Sequence, residues 1–275
     1  MRQTSLPDGR EMPVLGLGTW KMGEDRARAA EEVRVVRRAL DLGVSLIDTA
    51  EIYASGGSER VVGEAIQGRR ADVFLVTKVA PSNASRRGTI RACEASLKRL
   101  GTEVIDLYLL HWIGGTPLAD TVEAFETLKT DGKIRAWGVS NFDTDDMEAI
   151  PAGAGCCANQ VLYNPQSRGI EFSLIPHCQS RGIPIMAYTP LGQSGRVLAN
   201  AAMVAVAARH DATPAQVALA WSIRHPGVVT IPKTATLARI EENLGAVALT
   251  LTNADLAEID QAFPGPRAKR ALEMI

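Results

Sequence analysis

The chain has 275 residues, enough for one large α/β domain, since closed α/β barrels commonly use about 250 residues as a single unit. Thirty lysines and arginines stand against thirty-one aspartates and glutamates, for a net charge of -1, and their scatter removes the electrostatic footprint of a nucleic-acid or anionic-membrane partner. No apolar run reaches the roughly 18 residues needed to span a bilayer, and "MRQTSLPDGR" has no signal-peptide core, so a soluble cytoplasmic protein is expected.

In chain order, a hairpin around "LPDG" precedes eight strand-like runs: "VLGLGTW" (14–20), "SLIDT" (45–49), "VFLVTKV" (73–79), "IDLYLLHW" (105–112), "IRAWGVSN" (134–141), "CCANQV" (156–161), "IPIMAYTP" (183–190) and "VVTIPK" (228–233). Helical patterns separate most of them, including "RARAAEEVRVVRRALDLG", "RRGTIRACEASLKRL" and "TVEAFETLKTDG", several ending in a glycine suited to a C-cap. Near-continuous apolar strands alternating with helices predict a parallel sheet covered on its outer face. No Pro/Gly/Ser-rich linker divides the chain, so residues 1–275 read as one domain. The expected fold is a (β/α)8 TIM barrel with an N-terminal β-hairpin and an extra C-terminal helix at "NADLAEIDQAF".

An open dinucleotide-binding fold should carry GxGxxG after its first strand. The nearest stretch, Gly16-Leu17-Gly18-Thr19-Trp20-Lys21, has lysine at the third glycine position. Cys93, Cys156, Cys157 and Cys178 show neither CxxC spacing nor the density of a disulfide scaffold and read as buried thiols. His177, His210 and His225 fall in or beside helical patterns, and the barrel rim offers no convincing set of metal ligands.

Barrel enzymes place their chemistry at the C-terminal ends of the strands. Those ends carry Asp48, with Tyr53 in the loop that follows, then Lys78, then His111. Singly, each has an ordinary structural reading as a cap, a loop aromatic, a solvated end or a packed histidine. Together they form a proton-transfer set. Carbonyl reduction needs a proton at oxygen, and a tyrosine is a suitable acid if a nearby cation, Lys78, stabilises its phenolate. Asp48 would hold that buried ammonium in place, and His111 would orient the carbonyl.

The segments "GLGTW", "LIDTAEIY", "LVTKV", "DLYLLHW", "GKIRAWGVSN", "NQVLYN", "MAYTPLG", "IPKT" and "RIEEN", in this order over the whole chain, resemble the aldo-keto reductase family. The resemblance implies a (β/α)8 barrel binding NADPH/NADP+ without a Rossmann motif, and a tetrad of Asp48, Tyr53, Lys78 and His111. It assigns Gly18 and Thr19 to the cofactor shell, places Ser140, Asn141, Gln160 and Tyr188 around the nicotinamide, and puts Leu191 and Gly192 in a loop over the pyrophosphate. Lys233, Thr234 and Arg239 would hold the 2′-phosphate, with Glu242 and Asn243 at the adenine. Trp20 and Trp112 would wall the substrate pocket. The tail "PGPRAKRALEMI" is short, so an open site for small aldehydes or α-oxoaldehydes is expected, closest in pattern to bacterial methylglyoxal-reducing members. A monomer is the family default. The alternative is a protein of this fold that binds the cofactor in a regulatory role; the intact tetrad argues against it.

Overall fold

The computed structural model describes residues 1–151 and 153–275. Strands β1 (Gln3–Ser5) and β2 (Glu11–Pro13) pair antiparallel, and Gly9, at φ +84°, turns the chain between them. The rest alternates: β3 (Gly16–Gly18), α1 (Ala29–Asp41), β4 (Leu46–Asp48), α2 (Gly57–Ile66), β5 (Phe74–Val79), α3 (Arg86–Leu100), β6 (Ile105–Leu110), α4 (Leu118–Thr130), β7 (Ile134–Ser140), α5 (Thr144–Glu148) and β8 (Cys156–Leu162). Then follow α6 (Leu174–Ser180), β9 (Ile185–Tyr188), α7 (Ala201–Arg209), α8 (Pro214–Ser222), β10 (Val228–Thr230), α9 (Leu237–Gly245) and α10 (Asn253–Ala262).

β3 to β10 form one parallel sheet in sequence order. The ends meet: Thr230 N–H donates to the Val14 carbonyl at 2.8 Å and Gly18 N–H to that of Pro232 at 3.1 Å, closing the barrel. This contact needs a glycine, because a Cβ on Gly18 would lie 2.9 Å from the Ile231 carbonyl oxygen. The expected barrel, hairpin and C-terminal helix are all present. The first strand is shorter than its apolar run, since Thr19 and Trp20 leave the ladder for a turn in which Lys21 takes φ 66°.

Two apolar clusters hold the fold. The larger lies between barrel and helices and includes Val36, Ile47, Val62, Leu75, Phe125 and Trp137. The smaller fills the barrel, with Leu6 and Met12 of the hairpin region joining Leu46, Val76, Leu107 and Met186, so the hairpin plugs the N-terminal end. Helix ends are set by their own sequences. Ser85 caps α3, Gly101 ends it at φ 63°, and Thr213 with Gln216 and Thr252 with Asp255 form capping boxes on α8 and α10. All four cysteines are free and buried, and burial pushes Cys93 and Cys178 up to about 12, which leaves them unreactive thiols.

Candidate active site

Side chains alternate along a strand, so inward positions recur every second residue. Leu46, Val76, Leu109, Ala158 and Met186 face the barrel interior. Two residues further on come Asp48, Lys78, His111, Gln160 and Tyr188, and the alternation that fills the core therefore delivers these polar groups to its open end. Above them lies a cavity of about 260 Å³. Tyr53 and His111 face it, as do Gly18, Ser140, Asn141, Gln160, Tyr188 and Lys233, with Trp20 and Trp112 as walls.

Lys78 is fully buried beneath this cavity. Its Nζ donates to both Asp48 carboxylate oxygens at 2.8 and 2.9 Å and to the Thr49 carbonyl at 2.8 Å, and the Tyr53 hydroxyl is 3.4 Å away. Burial works against the ammonium, but the charge of Asp48 and the Tyr53 oxygen outweigh it, so Lys78 holds its proton more tightly than an ordinary lysine. Burial raises the Tyr53 phenol, and Lys78 offsets this only in part. Loss of water outweighs the cation, and Tyr53 keeps its proton. His111 packs edge-on to Tyr53, with ring centroids 5.7 Å apart. Burial, then the Lys78 charge, pushes its pKa down to about 3, so the ring is neutral. Its Nδ1 is buried without a hydrogen-bond partner.

The surrounding polar groups are tied together. Gln160 Nε2 donates to Asp48 Oδ1 at 2.7 Å. Asn141 Nδ2 donates to the His111 carbonyl at 3.0 Å, and the Tyr188 hydroxyl donates to Asn141 Oδ1 at 2.8 Å. Thr189, β-branched and at φ 50°, sits at the rim in a costly backbone region of the kind concentrated at functional sites.

Two expectations need correction. Thr19 does not reach the cavity: it is fully buried, and its Oγ1 donates to the Asp48 carbonyl at 2.9 Å and pairs with Ser58 Oγ at 2.6 Å. Thr234 is buried, and its hydroxyl closes a local turn by accepting from Thr236 N–H at 3.1 Å. Gln160 faces the cavity; one N–H of its amide donates to Asp48, and the amide has a second N–H and an oxygen besides. The short tail reaches the site, where Met274 and Ile275 join the cavity wall.

Of the other expected residues, Leu191 and half-buried Gly192 follow β9, with Gly192 at φ 68°. Lys233 follows β10, and α9 carries Arg239 exposed, Glu242 half-buried and Asn243 buried. Lys233 loses some hold on its proton through partial burial and through the charges of Arg28 and Lys21, while Glu32 and Glu24 oppose this. Lys21, whose Nζ lies 4.7 Å from the Trp20 ring centroid, joins this cationic corner and was not picked out from sequence. Ile52 on the cavity wall was missed as well.

Residues 14–263 match the sequence model of the aldo/keto reductase family. The chain is 50% identical to methylglyoxal reductase YeaE of Escherichia coli over 271 residues, covering 96% of this chain and 95% of that protein. It is 38% identical to glyoxal reductase of Bacillus subtilis over 260 residues, covering 93% and 90%. An aldo/keto reductase from Klebsiella pneumoniae, solved in complex with NADP and acetate, superposes with a TM-score of 0.96 at 46% identity, covering 99% of each chain. The chain therefore belongs to the aldo/keto reductase family.

Proposed function

We propose that the protein reduces small aldehydes and α-oxoaldehydes of the methylglyoxal type to alcohols with NADPH, Tyr53 acting as the general acid. The observation that carries this reading is a neutral phenol facing the cavity with a buried, charge-paired ammonium 3.4 Å behind its oxygen. The Escherichia coli and Bacillus subtilis relatives, named for methylglyoxal and glyoxal, support the substrate class.

The residues suit a nicotinamide dinucleotide phosphate. Tyr188 offers an aromatic face to the cavity beside Asn141 and Ser140, and Lys21, Arg28 and Lys233 form a cationic corner whose mutual repulsion an anionic phosphate relieves. Arg239, exposed and without an ion-pair partner among the described residues, is assigned to the 2′-phosphate with Lys233. When bound, the reduced nicotinamide supplies a hydride to the carbonyl carbon. Tyr53 gives its hydroxyl proton to the carbonyl oxygen as negative charge develops there. Lys78 stabilises the phenolate left behind, and Asp48 keeps Lys78 beneath it. Neutral His111, with its N–H on Nε2, holds the carbonyl oxygen toward Tyr53. Residues 1–275 are assigned to one domain working as a monomer; a solution mass of two chains by light scattering overturns that part.

The test follows NADPH oxidation with methylglyoxal, glyoxal, short aldehydes, aldoses and ketones, with NADH in parallel. Turnover of the α-oxoaldehydes that disappears in Tyr53→Phe is expected. No oxidation with any carbonyl compound overturns the reading.

A further inference from the structure

Beyond α10 the chain forms neither helix nor strand, yet it is held at several points. Arg168, itself buried, donates to the Phe263 carbonyl and pairs with Asp260, fixing the place where the segment departs. Lys269 Nζ lies 2.7 Å from Asp145 Oδ1 and 3.7 Å from Asp143 Oδ2, at the start of α5. Leu272 packs against the main core. Met274 and Ile275 then reach the catalytic cavity, and with Thr189 they also line a second cavity, beside Gly192 and Arg196.

This placement has a steric consequence. A dinucleotide with its nicotinamide at Tyr188 and its pyrophosphate under the loop that follows β9 must pass Thr189, where the tip of the segment lies. We propose that residues 264–275 form a strap that must lift for the dinucleotide to enter or leave, and that Lys269 is the positioning residue that holds it down through Asp143 and Asp145. The inference rests on the cofactor reading given above. The latch is weak: Lys269 and Asp145 side chains are 38% and 82% exposed, and a pair so solvated shifts an equilibrium by up to about fivefold. Such a latch lets the strap open often, while the buried anchor at Arg168 keeps it attached.

The test is stopped-flow NADPH fluorescence on the full-length protein, comparing wild type with Lys269→Arg, Lys269→Glu and the exchange Lys269→Asp/Asp145→Lys. At low salt, Lys269→Glu should speed both NADPH association and dissociation by about twofold to fivefold with little change in Kd or Tm. Lys269→Arg and the charge exchange should return both rates toward wild type. Salt also weakens the cations that attract the phosphates, so the readout is the ratio of variant to wild-type rates, which should shrink toward one as the ionic strength rises. A merely structural role would move Tm and not these rates. Unchanged rates in Lys269→Glu, or a rate ratio that neither the exchange restores nor salt diminishes, overturn the strap alone. Failure of the wild type to bind NADPH overturns the cofactor reading and the strap with it.

Discussion

Replacing Lys78 with Met removes the only cation, among the described residues, in contact with a carboxylate that is 3% exposed. The methionine fills much of the same volume, so the main effect is electrostatic. Asp48 keeps the Gln160 amide at 2.7 Å but loses two charge-assisted bonds, at 2.8 and 2.9 Å. Breaking a buried ion pair on one side costs about 3–5 kcal/mol, so Lys78→Met should lose about that much stability in urea unfolding at pH 7. Adding Asp48→Asn removes the stranded charge and should recover about half of the loss or more, while carbonyl reduction stays absent in both variants. A loss below about 1 kcal/mol at pH 7, or no recovery in the double variant, would show that the pair is not the buried electrostatic unit described here.

Tyr53→Phe should lower turnover by at least about a hundredfold with NADPH affinity nearly unchanged, measured by steady-state kinetics and cofactor fluorescence; near-normal reduction removes Tyr53 from the role of acid. Arg239→Ala should weaken NADPH binding about tenfold or more while leaving NADH binding nearly intact, and equal losses for both cofactors assign Arg239 to the fold or the adenine pocket. His111, depressed from 6.5 to about 3, takes up its proton in the unfolded chain first. Wild type should therefore lose stability relative to His111→Gln as pH falls from 6.5 toward 4, by up to about 1.4 kcal/mol per pH unit, and parallel Tm profiles of the two proteins refute the assignment.

The barrel was legible because strands buried on both faces leave unbroken apolar runs, and the site because polar residues at the ends of such runs fall on the inward alternation. Asp48, Lys78 and His111 each follow an inward apolar residue by two positions, a pattern visible without coordinates. The contacts that were not legible join partners far apart in sequence. The Gln160 amide donates to a carboxylate 112 positions away, and the Thr19 hydroxyl is shared with Ser58, 39 positions away. Desolvation of Tyr53 depends on what covers it, which a strand pattern does not record. Met274 and Ile275 lie in a stretch without periodicity, whose path is set by contacts of Lys269 and Leu272 with distant parts of the chain rather than by a local repeat. Lys21 looks like any turn lysine until Lys233 and Arg28 are brought beside it.

The Asp48–Gln160 contact joins β4 to β8, and in the order of the eight strands these lie four places apart, on opposite sides of the barrel. A single carboxylate is thus a cross-brace spanning the mouth, with Lys78 hung from it. Widening of the mouth would pull on the same oxygen that locates the ammonium under Tyr53, so the aperture of the barrel and the set of the proton donor are mechanically one variable. Substrates or mutations that spread β4 from β8 would detune the acid without touching it.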